Sequence, residues 1–227
     1  MRAANMNVLI FGATGMVGRG VLLECLENPA VTSILAVGRT AAGVDNPKLE
    51  EIIHQDFHDY TEIEDRLTDF DACFFCLGVS AAGMNEEKYR RLTYNLTLAA
   101  AETLVRLNPR MTFCYMSAAG TDRSEKGRIM WARVRGATEN RLLEMPFAAA
   151  YMFRPGYIQP MKGIRSKTRL YQSLYTLFSW LYPVFEKILP NQVTTTEKLG
   201  QAMIAVALRG HPDPIVNTPD INNLAGD

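Results

Sequence analysis

Short apolar runs alternate with longer segments in which apolar residues recur at helical spacing. This alternation predicts repeated β-α-β units, which build a parallel sheet with helices on both faces. The predicted strands are 7–11, 32–37, 49–54, 72–77, 111–116 and 148–153, with a further candidate at 214–217. The predicted helices are 17–26, 61–67, 86–107, 129–145 and 194–208. Thr61 and Glu64 have the spacing of a capping box, and Thr194 to Thr196 are candidate N-caps of the last helix.

Three glycines lie between the first predicted strand and the helix that follows it. Gly12, Gly15 and Gly18 have the spacing Gly-x-x-Gly-x-x-Gly, which differs from the usual Gly-x-Gly-x-x-Gly. Glycine has no Cβ, so the backbone can turn tightly and approach a phosphate closely, and a helix N-terminus attracts anions. The strand, loop and helix together therefore predict a dinucleotide-binding loop rather than a plain tight turn.

This loop and the predicted parallel sheet indicate an α/β fold, a doubly wound Rossmann sheet. The 227 residues suit a single domain over 1–227, in which 157–192 forms a small C-terminal helical cap on the substrate side. Within that cap, 169–189 is aromatic and aliphatic, but Pro183 and polar residues interrupt it, so we expect no stable membrane span. A helix lying on a membrane surface is the alternative; the lack of a lysine-rich face favours the cap.

Charge and cysteine content narrow the classes of function. The 24 basic and 24 acidic residues give no net charge, which argues against nucleic acid as a partner. Cys73 and Cys76 form a Cys-x-x-Cys, but their apolar surroundings are typical of a buried strand, and no second pair has metal-ligand spacing. We therefore predict no metal site. Thiols in strands and the lack of an apolar segment before Val8 predict a cytoplasmic protein.

The residues after the second strand bear on which dinucleotide is bound. An acidic residue there takes the ribose hydroxyls of NAD, whereas an arginine accommodates the 2′-phosphate of NADP. This chain has Gly38, Arg39 and Thr40 at that place, and Arg19 follows the third loop glycine. Because guanidinium groups pair with phosphate, we predict NADP(H) rather than NAD; a solvated role for Arg39 is the alternative.

Loops after the other strands supply further candidates. Asp56 and Phe57 follow the third strand, where the adenine is expected, and Gly78 follows the fourth strand, where backbone can approach a nucleotide. Ser117 ends the fifth strand, where the nicotinamide ring is expected.

Taken together, these motifs resemble the short-chain dehydrogenase/reductase superfamily, in its atypical or extended branch. The residues that carry the resemblance are GATGMVG at 12–18, GR at 38–39, DF at 56–57, CLG at 76–78, MSAAG at 116–120 and RPG at 154–156. Within the branch, the chain is most similar to small nucleoside-diphosphate-sugar epimerase-like proteins that are TIP30-related. The resemblance implies a Rossmann sheet, NADP(H) at the glycine loop and a possible homodimer, with helices 86–107 and 128–145 as its candidate interface.

The loop positions and the resemblance together define a candidate cofactor-binding set. Its members are Gly12, Thr14, Gly15, Met16, Val17, Gly18, Arg19, Gly38, Arg39, Thr40, Asp56, Phe57, Leu77, Gly78, Val79, Ser117, Arg135 and Pro155.

The resemblance also reveals a departure in the helix after the fifth strand. The family places a catalytic Tyr-x-x-x-Lys there, where the lysine lowers the pKa of the tyrosine so that it can transfer a proton. Here the matching positions are Trp131 and Arg135. An indole cannot shuttle a proton, and a guanidinium is a fixed cation, although Arg135 can still hold the nicotinamide ribose. The remaining catalytic candidates are Ser117 and, as a displaced acid, Tyr157.

Two classes of function follow. The first is an atypical oxidoreductase or epimerase that acts on a small carbonyl or sugar-like substrate. The second is a catalytically silent NADP(H)-binding protein that works as a redox sensor or partner-binding module. The missing tyrosine favours the second class, and the glycine loop fits both.

Overall fold

Seven parallel strands form the central sheet of the computed structural model, which describes residues 5–164 and 191–226. Their spatial order is β3-β2-β1-β4-β5-β6-β9. The strands are β1 (Met6–Phe11), β2 (Val31–Gly38), β3 (Leu49–Ile53), β4 (Ala72–Phe75), β5 (Thr112–Met116), β6 (Ala149–Arg154) and β9 (Ile215–Asn217). The order reverses beside β1, where a doubly wound sheet opens a crevice for ligands. The predicted Rossmann fold is confirmed.

Helices cover both faces of this sheet. They are α1 (Met16–Glu27), α2 (Glu86–Arg90), α3 (Leu96–Leu107), α4 (Met130–Glu144), α5 (Thr196–Arg209) and α6 (Thr218–Leu224). Asn28 and Pro29 end α1 as predicted, because proline disfavours helical backbone in the residue before it. Thr195 caps α5 by accepting a hydrogen bond from the Lys198 amide, so one of the three candidate N-cap threonines has that role.

The two faces of the sheet bury two separate cores, because successive residues of a strand point to opposite sides. Val8 and Ile10 of β1 face α1 and α5, whereas Leu9 and Phe11 face α3 and α4. All four side chains are fully buried. This double burial explains why the central strands are almost continuously apolar in the sequence.

The structure corrects several local predictions. Residues Thr61–Arg66 form a 3-10 helix whose N-cap is Tyr60, so Thr61 is not the first residue of a capping box; its hydroxyl donates to Asp59 instead. The predicted helix 86–107 is α2 and α3 joined by one π-helical turn, Arg91–Asn95. The brief helix α6 has no counterpart among the predicted elements.

A second, two-stranded parallel sheet lies after β6 and was not predicted. Its strands are β7 (Tyr157–Gln159) and β8 (Val193–Thr195). Gly156 allows this pairing, because a Cβ there would collide with the Gln192 carbonyl that accepts a hydrogen bond from the Tyr157 amide. The predicted helical cap therefore begins with a strand, and its apolar stretch 169–189 lies outside the described residues. No helix within 5–164 and 191–226 is long and apolar enough to cross a membrane.

Candidate dinucleotide site

The glycine loop joins β1 to α1 at the point where the strand order reverses. Gly12 adopts a φ of +83°, in the left-handed region, and a Cβ on it would lie 2.9 Å from the Cys76 carbonyl group. A Cβ on Gly18 would overlap the Gly12 carbonyl oxygen, which also accepts a hydrogen bond from the Gly15 amide at 2.9 Å. The first and third glycines are thus needed for the loop to close on itself and on the end of β4.

The N-terminus of α1 lacks the features that usually satisfy a helix end. Its N-cap residue is Gly15, no side chain caps it, and its first turn contains no acidic residue. In contrast, Thr195 caps α5, and Asn217 and Asp220 form a capping box on α6. Since the first amides of a helix need acceptors, the start of α1 is suited to an anionic ligand.

Three cavities line the carboxyl edge of the sheet around this loop. The first, of about 240 Å³, lies over β2, β3 and β4, and the second, of about 280 Å³, lies over β1, β4 and β5. The third, of about 510 Å³, lies between the start of α1 and Lys162. We call them the adenine-side, central and Lys162 cavities. Leu77 and Gly78 line both of the first two, so these cavities are neighbours.

Arg39 and Arg19 were predicted to meet at one phosphate, but they line different cavities. Arg39 is exposed and lines the adenine-side cavity, and the described residues give it no ion pair. Arg19 lines the Lys162 cavity and donates to the Ala42 carbonyl at 2.6 Å. That both arginines contact one phosphate stays a prediction.

Most other residues of the candidate set lie along these cavities. Asp56, Phe57 and Val79 line the adenine-side cavity, as expected for the loops after β3 and β4. Thr14 lines the Lys162 cavity, and Met16, Val17, Ser117 and Arg135 line the central one, with Gly15 between both. Gly12, Gly18, Gly38, Thr40 and Pro155 line none of the three. The Pro155 carbonyl accepts a hydrogen bond from the Ala119 amide at 2.9 Å, so Pro155 holds the loop after β5.

A buried polar network occupies the end of β5. The Ser117 hydroxyl donates to the Glu139 carboxylate, which also pairs with Arg154; Arg154 Nε lies 3.0 Å from Glu139 Oε1. Glu139 is completely buried and Ser117 is 4% exposed. Because an ionised carboxylate only accepts hydrogen bonds, the proton of Ser117 is directed at Glu139. Ser117 therefore has no second proton to donate to a ligand in the central cavity.

Sequence reasoning missed Glu139 and Arg154. Glu139 lies one turn after Arg135 and two turns after Trp131, so all three share one face of α4. That spacing was visible in the sequence. What was not visible is that Ser117 and Arg154, which are 22 and 15 residues from Glu139, come together on it.

Trp131 and Arg135 are the residues that the resemblance matches to a tyrosine and a lysine. The Trp131 ring lies against Gly120, where a Cβ would come within 3.5 Å of it, and Trp131 lines none of the three cavities. Arg135 donates through Nε to the Tyr89 hydroxyl at 3.1 Å and through Nη1 to the Met116 carbonyl at 3.0 Å. The Trp131 indole therefore does not line the central cavity, whereas the Arg135 guanidinium does.

Tyr157 lies in β7 and is not among the residues that line the central cavity beside Ser117. Its neighbour Ile158 lines the central cavity, while the Tyr157 hydroxyl donates to Gln159 Oε1 at 2.9 Å. Burial raises the pKa of Tyr157 above its usual value, whereas a proton-transfer tyrosine needs a lowered pKa. Its assignment as a displaced acid stays a prediction.

The two cysteines of the Cys-x-x-Cys lie on opposite sides of the sheet. Cys73 belongs to the core under α3 and α4, and Cys76 packs on the core under α1 and lines the central cavity. Burial raises the pKa of the Cys76 thiol to about 12. The described residues contain no group of three metal-ligating side chains.

The parallel sheet, its strand order and the glycine loop define a Rossmann fold, and the chain resembles the atypical branch of the short-chain dehydrogenase/reductases. The solved structure of the Bordetella bronchiseptica enzyme WbmF in complex with NAD+ superposes with a TM-score of 0.68 and 15% identity. The match covers 100% of this chain and 78% of that one. The family resemblance inferred from the motifs is confirmed.

The chain is similar to two curated proteins. It is 26% identical to the mitochondrial protein fmp52 of Emericella nidulans over 211 residues, which are 89% of this chain and 88% of that protein. It is 25% identical to HTATIP2 of Rattus norvegicus over 157 residues, which are 68% of this chain and 63% of that protein. No protein-family model matches the chain.

These relatives correct the predicted location. The fungal relative above is named mitochondrial, and so are the similar proteins of Scheffersomyces stipitis, Meyerozyma guilliermondii and Aspergillus fumigatus. The prediction of a cytoplasmic protein is therefore wrong. It relied on cysteine burial and on the first few residues, and neither property distinguishes one reducing compartment from another.

Proposed function

We propose that this protein binds NADP(H) along the carboxyl edge of its sheet and holds it without the tyrosine-dependent turnover of its class, as a redox sensor or partner-binding module. One observation carries the proposal: among the described residues that line the central cavity, no side chain is set up to exchange a proton at neutral pH. Trp131 and Arg135 replace the proton-transfer pair, and the Ser117 proton is directed at Glu139. The Cys76 thiol has a pKa raised to about 12 by burial.

The residues around the glycine loop fit a dinucleotide. Side chains at Gly12 and Gly18 would collide with the backbone that forms the glycine loop. The uncapped start of α1 offers amide donors for a diphosphate. Gly15, Met16 and Val17 would hold that diphosphate, and Asp56 and Phe57 would border the adenine. When bound, NADP(H) supplies a hydride donor or acceptor. The other members of the candidate set are proposed as further contacts of the dinucleotide: Gly12, Thr14, Gly18, Gly38, Thr40, Leu77, Gly78, Val79, Ser117, Arg135 and Pro155.

NADP(H) is preferred to NAD(H) in this proposal because of Arg39. Its guanidinium lines the adenine-side cavity and forms no ion pair with any of the described residues, although Asp56 lines the same cavity. A 2′-phosphate would supply the missing partner. Arg19 faces the Lys162 cavity and is a secondary contributor. A homodimer through the helices at 86–107 and 128–145 is also proposed, on family analogy.

The second candidate is an atypical oxidoreductase or epimerase on a small carbonyl or sugar-like substrate. The central cavity favours it, since about 280 Å³ beside Ser117 leaves room for a small molecule. Among proteins of the same fold is an ADP-L-glycero-D-manno-heptose-6-epimerase of Helicobacter pylori. In this candidate Tyr157 or another displaced acid replaces the missing tyrosine.

The two candidates separate in a paired experiment. Fluorescence titration measures the affinity for NADPH and NADH, and a panel of aldehydes, ketones, quinones and nucleotide sugars tests NADPH oxidation and sugar epimerisation. We expect tighter binding of NADPH than of NADH and no turnover above the rate without protein. Turnover that Ser117→Ala or Tyr157→Phe abolishes would establish the second candidate, and tighter binding of NADH would reject the NADP preference.

A further inference from the structure

Arg135 is held rigidly by neutral partners and keeps one edge of its guanidinium toward the central cavity. Nε binds the Tyr89 hydroxyl, and Nη1 binds the Met116 carbonyl. The third nitrogen, Nη2, faces Gly78: a Cβ built on Gly78 would lie 3.7 Å from it. The absence of a side chain at Gly78 thus leaves this edge open to a ligand.

No carboxylate within 5–164 and 191–226 forms an ion pair with Arg135. Glu139 is one turn away, but it already pairs with Arg154 and accepts from Ser117. Arg133, on the same helix, differs in this respect, because it pairs with Glu86 at 2.6 Å. The charge of Glu139 acts on Arg135 without direct contact. Because a cation removed from water is stabilised most by an anion in contact with it, an anionic ligand would stabilise Arg135 further.

The same cavity has a second source of positive potential. Gly15, Met16 and Val17 line it, and they form the start of α1, which has neither a side-chain cap nor an acidic residue in its first turn. No acidic side chain is among the described residues that line the cavity. A guanidinium edge and a helix N-terminus therefore face one small space from two sides.

We propose that the central cavity is an oxyanion site in which Arg135 Nη2 and the start of α1 bind one phosphate or carboxylate group. A ribose hydroxyl at Arg135 would accept a hydrogen bond but would not neutralise the positive charge. An oxyanion would accept the hydrogen bond and also neutralise the charge. The inference builds on the proposed function, since the oxyanion is either a phosphate of the dinucleotide or the acidic group of a small second ligand. In either case Arg135 takes a role that differs from support of a catalytic tyrosine.

The test uses two probes, inorganic pyrophosphate and oxamate, titrated calorimetrically into the full chain. Arg135→Met removes the guanidinium, and Arg133→Met is the matched control, because it removes a paired cation two residues away on the same helix. We expect Arg135→Met to weaken binding of at least one probe by roughly 10-fold or more, as for a charged hydrogen bond. Arg133→Met should change it by less than about twofold.

Gly78→Val is a second variant that leaves Arg135 and its hydrogen bonds in place. Its added methyl groups would cover Nη2, so we expect loss of probe binding with an unchanged thermal melting curve. Arg135→Lys should bind more weakly than the native chain, since lysine lacks the planar edge. Absence of probe binding to the native chain, or equal weakening in Arg135→Met and Arg133→Met, would overturn the proposal.

Repeating the titration with NADPH-saturated protein separates the two sources of the oxyanion. Competition by NADPH identifies the dinucleotide phosphate, and undiminished oxamate binding identifies a second, acidic ligand. The outcome for the proposed function is independent. If the protein binds pyrophosphate through Arg135 but does not bind NADPH, the oxyanion site is supported and the proposed function is rejected. If the protein binds NADPH and Arg135→Met has no effect on either probe, the proposed function is supported and the oxyanion site is rejected.

Discussion

The β1–α1 loop and the β5–α4 region face the same crevice, but they differ in what the resemblance to short-chain dehydrogenase/reductases predicts for them. In the loop, the features that suit a phosphate are features of the backbone: a left-handed Gly12, a close approach at Gly18 and an uncapped helix. At β5 and α4, the side chains that would move a proton have changed, although the helix that carries them is in place. In the proposed function, binding depends on the first region and turnover on the second.

The difference has a physical cause. A side chain on Gly12 or Gly18 would force backbone apart, so these positions are constrained by the fold as well as by any ligand. Trp131 and Arg135 differ from these glycines because their side chains have room in the fold. Arg135 forms hydrogen bonds with Tyr89 and Met116. An intact glycine loop thus indicates how the chain folds and what it can hold, and only the second region indicates whether the ligand reacts.

The largest expected effect is on the buried network of the second region. Glu139→Gln keeps the shape but removes the charge that pairs with Arg154. We expect a loss of about 3 kcal/mol in the free energy of unfolding, because removing one partner of a buried ion pair leaves the other uncompensated. Urea denaturation measures it. Glu144→Gln on the same helix is the control, and its exposed pair with Arg141 predicts a change below about 0.5 kcal/mol.

Equal losses in these two variants would mean that Glu139 does not stabilise the region, and the commitment of Ser117 to Glu139 would then be in doubt.

The loop is tested by alanine at two left-handed glycines. Gly12→Ala introduces both an unfavourable φ and a contact of 2.9 Å with Cys76, whereas Gly43→Ala introduces the unfavourable φ alone, with no atom within 4 Å. We expect about 1 kcal/mol of destabilisation from φ at Gly43 and at least about 1 kcal/mol more at Gly12. Thermal unfolding gives the difference, and NADPH titration should show lost binding in Gly12→Ala only.

The next prediction follows from the different cavities that Arg39 and Arg19 line. Arg39→Met should reduce the preference for NADPH over NADH by roughly 10- to 100-fold, because it removes one charged hydrogen bond to the 2′-phosphate. Arg19→Met should reduce it less, because Arg19 lines the Lys162 cavity. The measurement is the ratio of the two dissociation constants. A larger effect at Arg19 would place the 2′-phosphate in the Lys162 cavity.

A smaller effect is expected at Tyr157. Tyr157→Phe removes the hydrogen bond to Gln159 at the surface of the short β7–β8 sheet, so stability should fall by no more than about 1 kcal/mol. NADPH affinity should not change. A change in the pH dependence of any turnover would instead identify Tyr157 as the displaced acid.

The cysteines give the smallest effect at neutral pH. The Cys76 pKa of about 12 leaves roughly one thiolate in ten thousand at pH 8, so iodoacetamide should not modify the folded protein within hours. The folded pKa lies above the unfolded value of 9.0, so below pH 9 both states hold the proton and stability is unaffected. Above pH 9 the unfolded thiol ionises first, and the melting temperature should fall.

How far the sequence predicted the molecule depended on whether a feature is local. The strands, the helix that ends at Asn28 and Pro29, and the glycine loop each follow from residues within one short segment. The network of Ser117, Glu139 and Arg154 joins three elements, and no local pattern marks it. The β7–β8 pairing was missed for the same reason, since β8 lies more than thirty residues after β7.

The two arginines illustrate the same limit. Arg19 and Arg39 each follow a strand-end motif, and sequence alone placed them at one phosphate. In the structure Arg19 donates to the Ala42 carbonyl and lines the Lys162 cavity, whereas Arg39 lines the adenine-side cavity. The direction of a long side chain is set by such contacts, which periodicity does not encode.

The central claim is that this protein holds NADP(H) without tyrosine-dependent turnover, and one measurement tests it most directly. The native chain is titrated with NADPH by fluorescence, and the saturated protein is then offered the carbonyl and nucleotide-sugar panel while NADPH oxidation and epimerisation are followed. The account predicts roughly micromolar binding of NADPH and no reaction above the rate without protein. Catalysed turnover of any substrate in the panel, or no binding of NADPH, would contradict it.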